Sequence, residues 1–261
     1  MKKSVTYGNG GTGRSVINTI IVFAIVVAVW AAVASSGMFS SYVFPGPARV
    51  LDALWSMIKS GELARHMAAS LGRVLLGFLI SCVVSLVLAI IATGFEKIDL
   101  FLKPLIEFIR HIPPMSLIPL LILWFGIGET SKLIVIVLTS FFPIFLNSVA
   151  GIKGCDVKLL EVGEMLNMSK TQQFIKIRLP YAVPNILVGM QIGLGYSLKA
   201  IIGAEMIAAA SGLGYMILDA QAMSRSDKVM AGIIVLGVSG LIIDYLFNLI
   251  VKRMTRFYET Q

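Results

Sequence analysis

Four charged side chains, Glu107, Arg110, Lys199 and Glu205, lie within long apolar runs of this 261-residue sequence, and their types could do chemistry there. An ionised group in lipid costs about 3 kcal/mol or more, so such residues either line a solute or proton path or pair with one another across helices. Glu107 precedes Arg110 and His111 by three and four positions, helical spacings at which the charges partly neutralise one another. Lys199 and Glu205 stand about 600° apart around an unbroken helix and face each other only if it bends near Gly203. Lys199 with Glu107 is another pairing, and on sequence alone pathway and pair both stay open. Arg73, a turn inside the end of its apolar run, reads first as a side chain snorkelling to the interface, with a role in the pathway as the alternative.

Three further patterns invite a chemical reading and fail on context. Gly237-Val238-Ser239-Gly240 resembles the short nucleophile motif of rhomboid-type intramembrane proteases, but the base must come from a later helix and both histidines, His66 and His111, precede the serine. Small residues that let helices approach closely explain the same four positions. Gly8 to Ser15 is a near-match to a phosphate-binding loop, without the preceding strand and with Arg14 where lysine is needed. Cys82 and Cys155 have no metal-ligand spacing and fall at different depths.

The elements that must position these residues are membrane spans. At 57% apolar, 14% charged and a mean hydropathy of +0.88, the chain is far from the roughly half apolar, quarter charged balance of soluble domains. Residues 1–15 read as a flexible cytoplasmic tail and 16–261 as one transmembrane domain. Spans are expected at 16–36, 68–93, 105–125, 133–149, 183–210 and 229–251, the first long enough to cross about 30 Å of hydrocarbon as a helix. The first is read as a retained span in preference to a cleaved signal peptide ending at Ala32-Val33-Ala34. After the turn Phe44-Pro45-Gly46-Pro47, the residues Val50, Leu51, Leu54, Trp55 and Ile58 recur at helical spacing and predict a short helix along the outer interface. Ser70, Gly72, Gly77, Ser81 and Ser85 offer close packing in the second span. Pro113, Pro114 and Pro119 break the third, as an inner gate or as the start of the span after an interfacial helix. Thr130 or Ser131 caps the fourth, and Pro143 kinks it. Ser211-Gly212-Leu213-Gly214 forms an outer turn.

Between the fourth and fifth spans, residues 153–180 are polar and basic. Asp156 is placed to N-cap a helix over 157–166, with Val157, Leu159 and Leu160 on its apolar side. Asn167 tolerates the left-handed conformation that ends a helix, and Ser169 with Gln172 makes a capping box for a second helix. Phe174, Ile175 and Ile177 give that helix its buried face, and Pro180 and Pro184 are expected to stop it. Six crossings place this hairpin and both termini on one side, which then carries 13 Lys and Arg against 6 opposite. That bias makes the side cytoplasmic and accounts for the net charge of +8 without nucleic acid.

Glu161-Val162-Gly163, then Asn167, then Ile177-x-Leu179-Pro180 resemble in register the cytoplasmic signature of ABC-importer permeases, with Val162, Gly163 and Asn167 replacing Ala, Ala and Gly. Gly163 in place of alanine weakens the first helix by up to about 1 kcal/mol. The wording of 110–114, 118–129, 204–206 and 211–215 is similar to the nitrate, sulfonate and taurine branch. The resemblance implies an all-α membrane protein with six transmembrane helices, a type I importer (MetI-like) permease with a cytoplasmic coupling helix. It also implies a bacterial inner-membrane location and a coupling role for Glu161, Val162, Gly163, Asn167, Ile177, Leu179 and Pro180. The partners it implies are a dimeric ABC ATPase that carries the ATP and magnesium, an extracytoplasmic substrate-binding protein and a second permease copy, with no cofactor in this chain. The cargo of such a permease is a small anionic or organic solute. An independent secondary carrier using Glu107, Lys199 and Glu205 as a proton relay is the alternative.

Overall fold

The computed structural model describes residues 12–255, and every regular element among them is helical. Residues 1–11 of the expected tail, with the start of the phosphate-loop near-match, and residues 256–261 lie outside the described residues. The first helix, α1 (Thr12–Ser35), begins four residues before the expected span. It is followed by α2 (Pro47–Lys59), α3 (Glu62–Gly94), α4 (Glu96–Arg110) and α5 (Ile118–Phe125). Next come α6 (Glu129–Lys153), α7 (Val157–Met165), α8 (Lys170–Gln173) and α9 (Leu179–Ala208), and the chain closes with α10 (Leu213–Ala222) and α11 (Ser226–Thr255).

Five stretches are long and apolar enough to cross a membrane: α1, α3, α6, α8 running into α9, and α11. A sixth crossing follows from two ion pairs. Arg73 on α3 meets Glu129 at the start of α6, and Asp99 on α4 meets Lys153 at the end of α6. The chain from α4 to α6 therefore returns from one end of the bundle to the other. It does so as a bent pair, with α4 and the stretch 114–125 at 82° to each other. The break expected at Pro113 and Pro114 is thus a sharp bend between two helices. Proline disfavours the α region in the residue before it, and Pro113 is accordingly extended (φ −62°, ψ 122°) before Pro114 opens a 3-10 turn.

Helix α6 is the centre of the bundle, packed on α3 and α9. Its residues Ile136 and Ile144 are fully buried with Val74, Ile118, Leu194 and Ile201. In lipid, helix contact relies on close approach and on polar bonds more than on hydrophobic expulsion. Ser81 and Ser85 of α3 supply the bonds, donating to the carbonyls of Val137 and Phe141 at 3.2 Å each. Gly189 of α9 supplies the approach, since a Cβ there would stand 2.8 Å from the Pro143 carbonyl oxygen. Helix α6 starts at Glu129 with Gly128 as its N-cap, and no side chain caps it. The expected cap Ser131 instead turns its hydroxyl to the Gly128 carbonyl.

The predicted interfacial helix is α2, and its two faces separate cleanly. Val50, Ala53 and Met57 are buried, packing toward Leu63, Leu213 and Ala231. Leu51, Trp55 and Ile58 point out, with the Lys59 ammonium 5.2 Å from the Trp55 ring. Within the window Asn18–Ser35, α1 buries nothing. It is held to the turn before α2 by Trp30 Nε1, which donates to the Pro45 carbonyl at 3.0 Å.

Candidate functional site

Short-range bonds build the hairpin. Asp156 accepts from the Lys158 amide at 3.0 Å and starts α7. At its other end Asn167 is left-handed (φ 56°), and two bonds close the helix: Met168 N–H to Gly163 O and Asn167 N–H to Glu164 O. These are the two bonds of a Schellman ending. Ser169 then exchanges both capping-box bonds with Gln172 and starts α8.

Two expectations about the hairpin need correction. The chain does not stop at Pro180 or Pro184, because α8 runs through a π-helical turn, Phe174–Arg178, into α9. There Leu179 N–H bonds to Phe174 O, one residue further back than in an α-helix, so the wide turn absorbs the residue ahead of Pro180. Pro180 then falls in the first turn of α9, where a missing amide proton is tolerated. Gly163 is also more than a weakened alanine. It is buried beneath Ile177, and a Cβ there would stand 2.8 Å from Ile177 Cδ1 and 3.2 Å from Gln173 Cγ. The tip of Ile177 rests against Gly163 where the two arms meet.

The hairpin residues therefore divide in two. Gly163 and Ile177 meet at its centre, while Leu179 joins Ile152, Ala182 and Ile186 at the foot of the spans, with Pro180 half-buried beside it. Asn167 is exposed at the turn. Glu161 and Val162 are exposed beside Met165 and Leu166, which are 81% and 70% accessible. Val157, Leu159 and Ile175, expected on inner faces, also point outward, and Phe174 and Leu160 are only half-buried. Carboxylates among outward apolar side chains suit a protein partner better than water or lipid. Between the arms and α6, Cys155 is buried, and that burial pushes its thiol pKa up.

The charged residues of the spans do not converge on one point. Glu107 and Arg110 form an (i, i+3) pair at 2.8 Å on α4, where both are more than a third exposed, and the His111 ring bonds to the Glu107 carbonyl at 2.6 Å. Neither reaches Lys199, so the Lys199 to Glu107 pairing is absent. Lys199 and Glu205 also stay apart, because α9 continues through Gly203 unbroken to Ala208.

Glu205, fully buried, is instead the hub of a network at the end of the bundle away from the hairpin. Arg73 is no snorkelling side chain. Its guanidinium bonds Glu129 through Nε and Nη2 at 2.6 and 2.9 Å, Glu205 at 2.8 Å, and both the carbonyl and hydroxyl of Ser211. Lys132 reaches Glu129 at 2.6 Å, so two cations face two carboxylates. The turn before α10 wraps the same carboxylate. The Gly214 amide donates to Glu205 Oε2 at 3.0 Å, Ser70 Oγ lies 2.8 Å from both carboxylate oxygens, and Ser70 accepts from the Leu213 amide. His66 Nδ1 accepts from the Gly212 amide. Gly212 adopts φ +118°, a conformation that favours glycine, and any Cβ there would strike the Glu205 carboxylate. Nothing in the chain spacing of Arg73, Glu129 and Glu205 signals this pairing.

A groove of about 770 Å³ runs between α3, α9 and α11. Lys199 lines it, and so do Asp244 and Gln191, which the sequence reading did not single out. Ser239 also lines it, donating its hydroxyl to Met67 Sδ at 3.8 Å. Both histidines are engaged with backbone elsewhere, so neither serves that serine as a base.

Comparison with known proteins agrees with this architecture. Residues 85–256 match the family described as binding-protein-dependent transport system inner membrane component. A Bacillus subtilis protein named as an aliphatic sulfonates transport permease protein, SsuC, is 37% identical, covering 90% of this chain and 85% of its own length. The Escherichia coli taurine transport system permease protein TauC is 32% identical, covering 94% and 91%. Among solved structures, an inward-facing MetNI methionine ABC transporter superposes with a TM-score of 0.62 at 16% identity, over 71% of this chain and 93% of that one. An amino acid ABC transporter crystallised with histidines gives 0.64 at 19% identity, over 78% and 97%. These two share the fold. With a family match over more than half of its length and relatives above 30% identity over most of it, this chain belongs to the inner membrane components of binding-protein-dependent transport systems, as a permease subunit.

Proposed function

We propose that two copies of this chain form the path of an ATP-driven importer for small sulfonates and related solutes, with the hairpin and both termini in the cytoplasm. The observation that carries the reading is the exposed surface of α7, where Glu161 and Val162 stand beside Met165 and Leu166, on the arm that meets through Gly163 the Ile177 side chain of the other arm, which continues without a break into α9. That surface docks a partner ATPase, which holds the ATP and magnesium, and an extracytoplasmic binding protein delivers cargo at the Arg73 end. The excess of Lys and Arg on the hairpin side supports the orientation, and the names of the sulfonate and taurine relatives support the cargo.

In operation, nucleotide-driven closure of the ATPases draws the two hairpins together. Because α8, the π turn and α9 are one rod, that displacement reaches the Glu205 network at the far end. ATP shifts the equilibrium between inward and outward states only through the different contacts the ATPases make with each. Glu107, Arg110, Lys199 and Glu205 act in this movement as a pair, a groove residue and a hub, not as a proton relay.

The test is uptake into vesicles holding the permease, its ATPase and its binding protein. Glu161→Lys should lower uptake of taurine and alkanesulfonates at least about tenfold, the equivalent of 1.4 kcal/mol of lost coupling, without loss of membrane insertion. Full uptake in that variant, or full uptake with the ATPase omitted, would overturn the reading.

A further inference from the structure

Charged residues in the spans are almost all neutralised by neighbours, and two of them stand out. Arg73, Lys132, Glu129 and Glu205 balance one another, and Glu107 pairs with Arg110. Lys199 and Asp244 form no ion pair among the described residues, although they carry opposite charges and line the same groove. Each is held toward that space by its own helix. The Lys199 ammonium lies 5.7 Å from the centre of the Tyr196 ring, one turn away on α9. Asp244 reaches from α11 to α9 at Gly195, where a Cβ would sit 3.9 Å from Asp244 Oδ1.

At 1.5 Å per residue, Lys199 lies about 13 Å from the far end of α9 and Asp244 about 16 Å from the hairpin end of α11. Both lie within stretches long and apolar enough to cross a membrane. An unpaired charge there needs water, a polar solute or a polar group of a second chain beside it. The remaining walls suit a small molecule. Gln191 and Ser239 are polar, Gly237 and Gly240 leave the floor open, and the groove's other end is lined by Ser70 and Leu213, which tie it to the Glu205 network.

We infer that this groove is a transit site for small zwitterions, with Lys199 taking the sulfonate or carboxylate group and Asp244 the ammonium. The inference rests on the import function proposed above and narrows its cargo. A plain alkanesulfonate satisfies Lys199 and leaves the Asp244 carboxylate beside a second anion, so Asp244 selects against it; rejection of this kind comes from the repulsive contact as much as from the attractive one.

The experiment uses the purified permease with its ATPase and no binding protein, so that selection by the binding protein does not enter. Binding of taurine and of ethanesulfonate is measured by calorimetry. Wild type should prefer taurine by about tenfold or more. Asp244→Asn should erase the preference, Asp244→Glu should keep it, and Lys199→Gln should weaken both probes. In a Cys82→Ser, Cys155→Ser background, Ser239→Cys should react with an aqueous maleimide, and taurine should slow that reaction more than ethanesulfonate does. This second measurement leaves both charges intact and so stands even where a charge variant fails to fold. An unchanged preference in Asp244→Asn, no protection by taurine, or wild-type taurine binding in the double variant Lys199→Gln, Asp244→Asn would overturn the assignment, the last by showing that neither charge touches the solute. ATP-dependent uptake by the complete wild-type assembly, run in parallel, separates a failed groove from a failed import function.

Discussion

At the scale of single residues, Arg73 and Gly163 carry the most structural consequence. Removing one partner from a buried charge pair leaves the other uncompensated, which costs about 3–5 kcal/mol. Glu205 is fully buried and Arg73 nearly so, hence Arg73→Gln should lower the unfolding midpoint of the purified permease sharply. Arg73→Gln combined with Glu205→Gln should recover part of the loss, which thermal unfolding in detergent measures. Gly163→Ala tests the opposite kind of effect. A methyl group improves an isolated helix by about 1 kcal/mol, but here it meets Ile177 Cδ1 at 2.8 Å, and overpacking of that kind costs about 1–3 kcal/mol. Ile177 Cδ1 is the end of a flexible side chain, so the clash wins only where that tip cannot turn aside. Cys155 reports it, because a buried thiol with a raised pKa labels slowly. Its maleimide labelling should accelerate in Gly163→Ala and return toward the wild-type rate when Ile177→Val is added. Labelling should also rise with pH in each protein, since only the thiolate reacts.

At the scale of elements, the join between α8 and α9 is the route by which the proposed coupling would leave the hairpin. A helix interrupted by two prolines reads locally as a stop, yet the π turn at Phe174–Arg178 slips the hydrogen-bond ladder by one residue and the rod continues. Two glycines inserted after Pro180 should therefore leave the surface of α7 intact and break the rod. ATPase binding should persist while uptake falls at least about tenfold, a separation that Glu161→Lys should not show. Retained uptake in the insertion variant would mean that α9 is not the element that moves. The bend between α4 and α5 belongs to the same scale. It lets the chain turn by 82° before the return crossing, with the Glu107 to Arg110 pair on its α4 side.

At the scale of the whole molecule, polar contacts gather at two ends and one wall. The hairpin end presents acids and exposed apolar side chains, the opposite end is tied by Arg73 and Glu205, and the groove with Lys199 and Asp244 lies between. Displacement applied at one end can reach the other along α9, which contributes to all three. The uptake test with Glu161→Lys addresses this level, since it changes no contact within the chain and acts only through a partner.

Much of this was legible without coordinates. Asp156, Asn167, Ser169 and Gln172 form their decisive bonds to groups within five residues, so spacing alone specifies the caps and the turn. Apolar runs of sufficient length likewise fix where the chain crosses, whereas of the apolar residues that predicted α2 only Val50 is buried, and Ala53 and Met57 complete its inner face. What the spacing cannot encode is how one helix is rotated against another, because that depends on which side chains interlock across the contact. Arg73 with Glu129 and Glu205, Gly163 beneath Ile177, and Asp244 beside Gly195 are all contacts of that second kind. The caps are settled by neighbours along the chain; the ion network, the closed hairpin and the charged groove exist only once packed helices bring distant residues within a few ångströms.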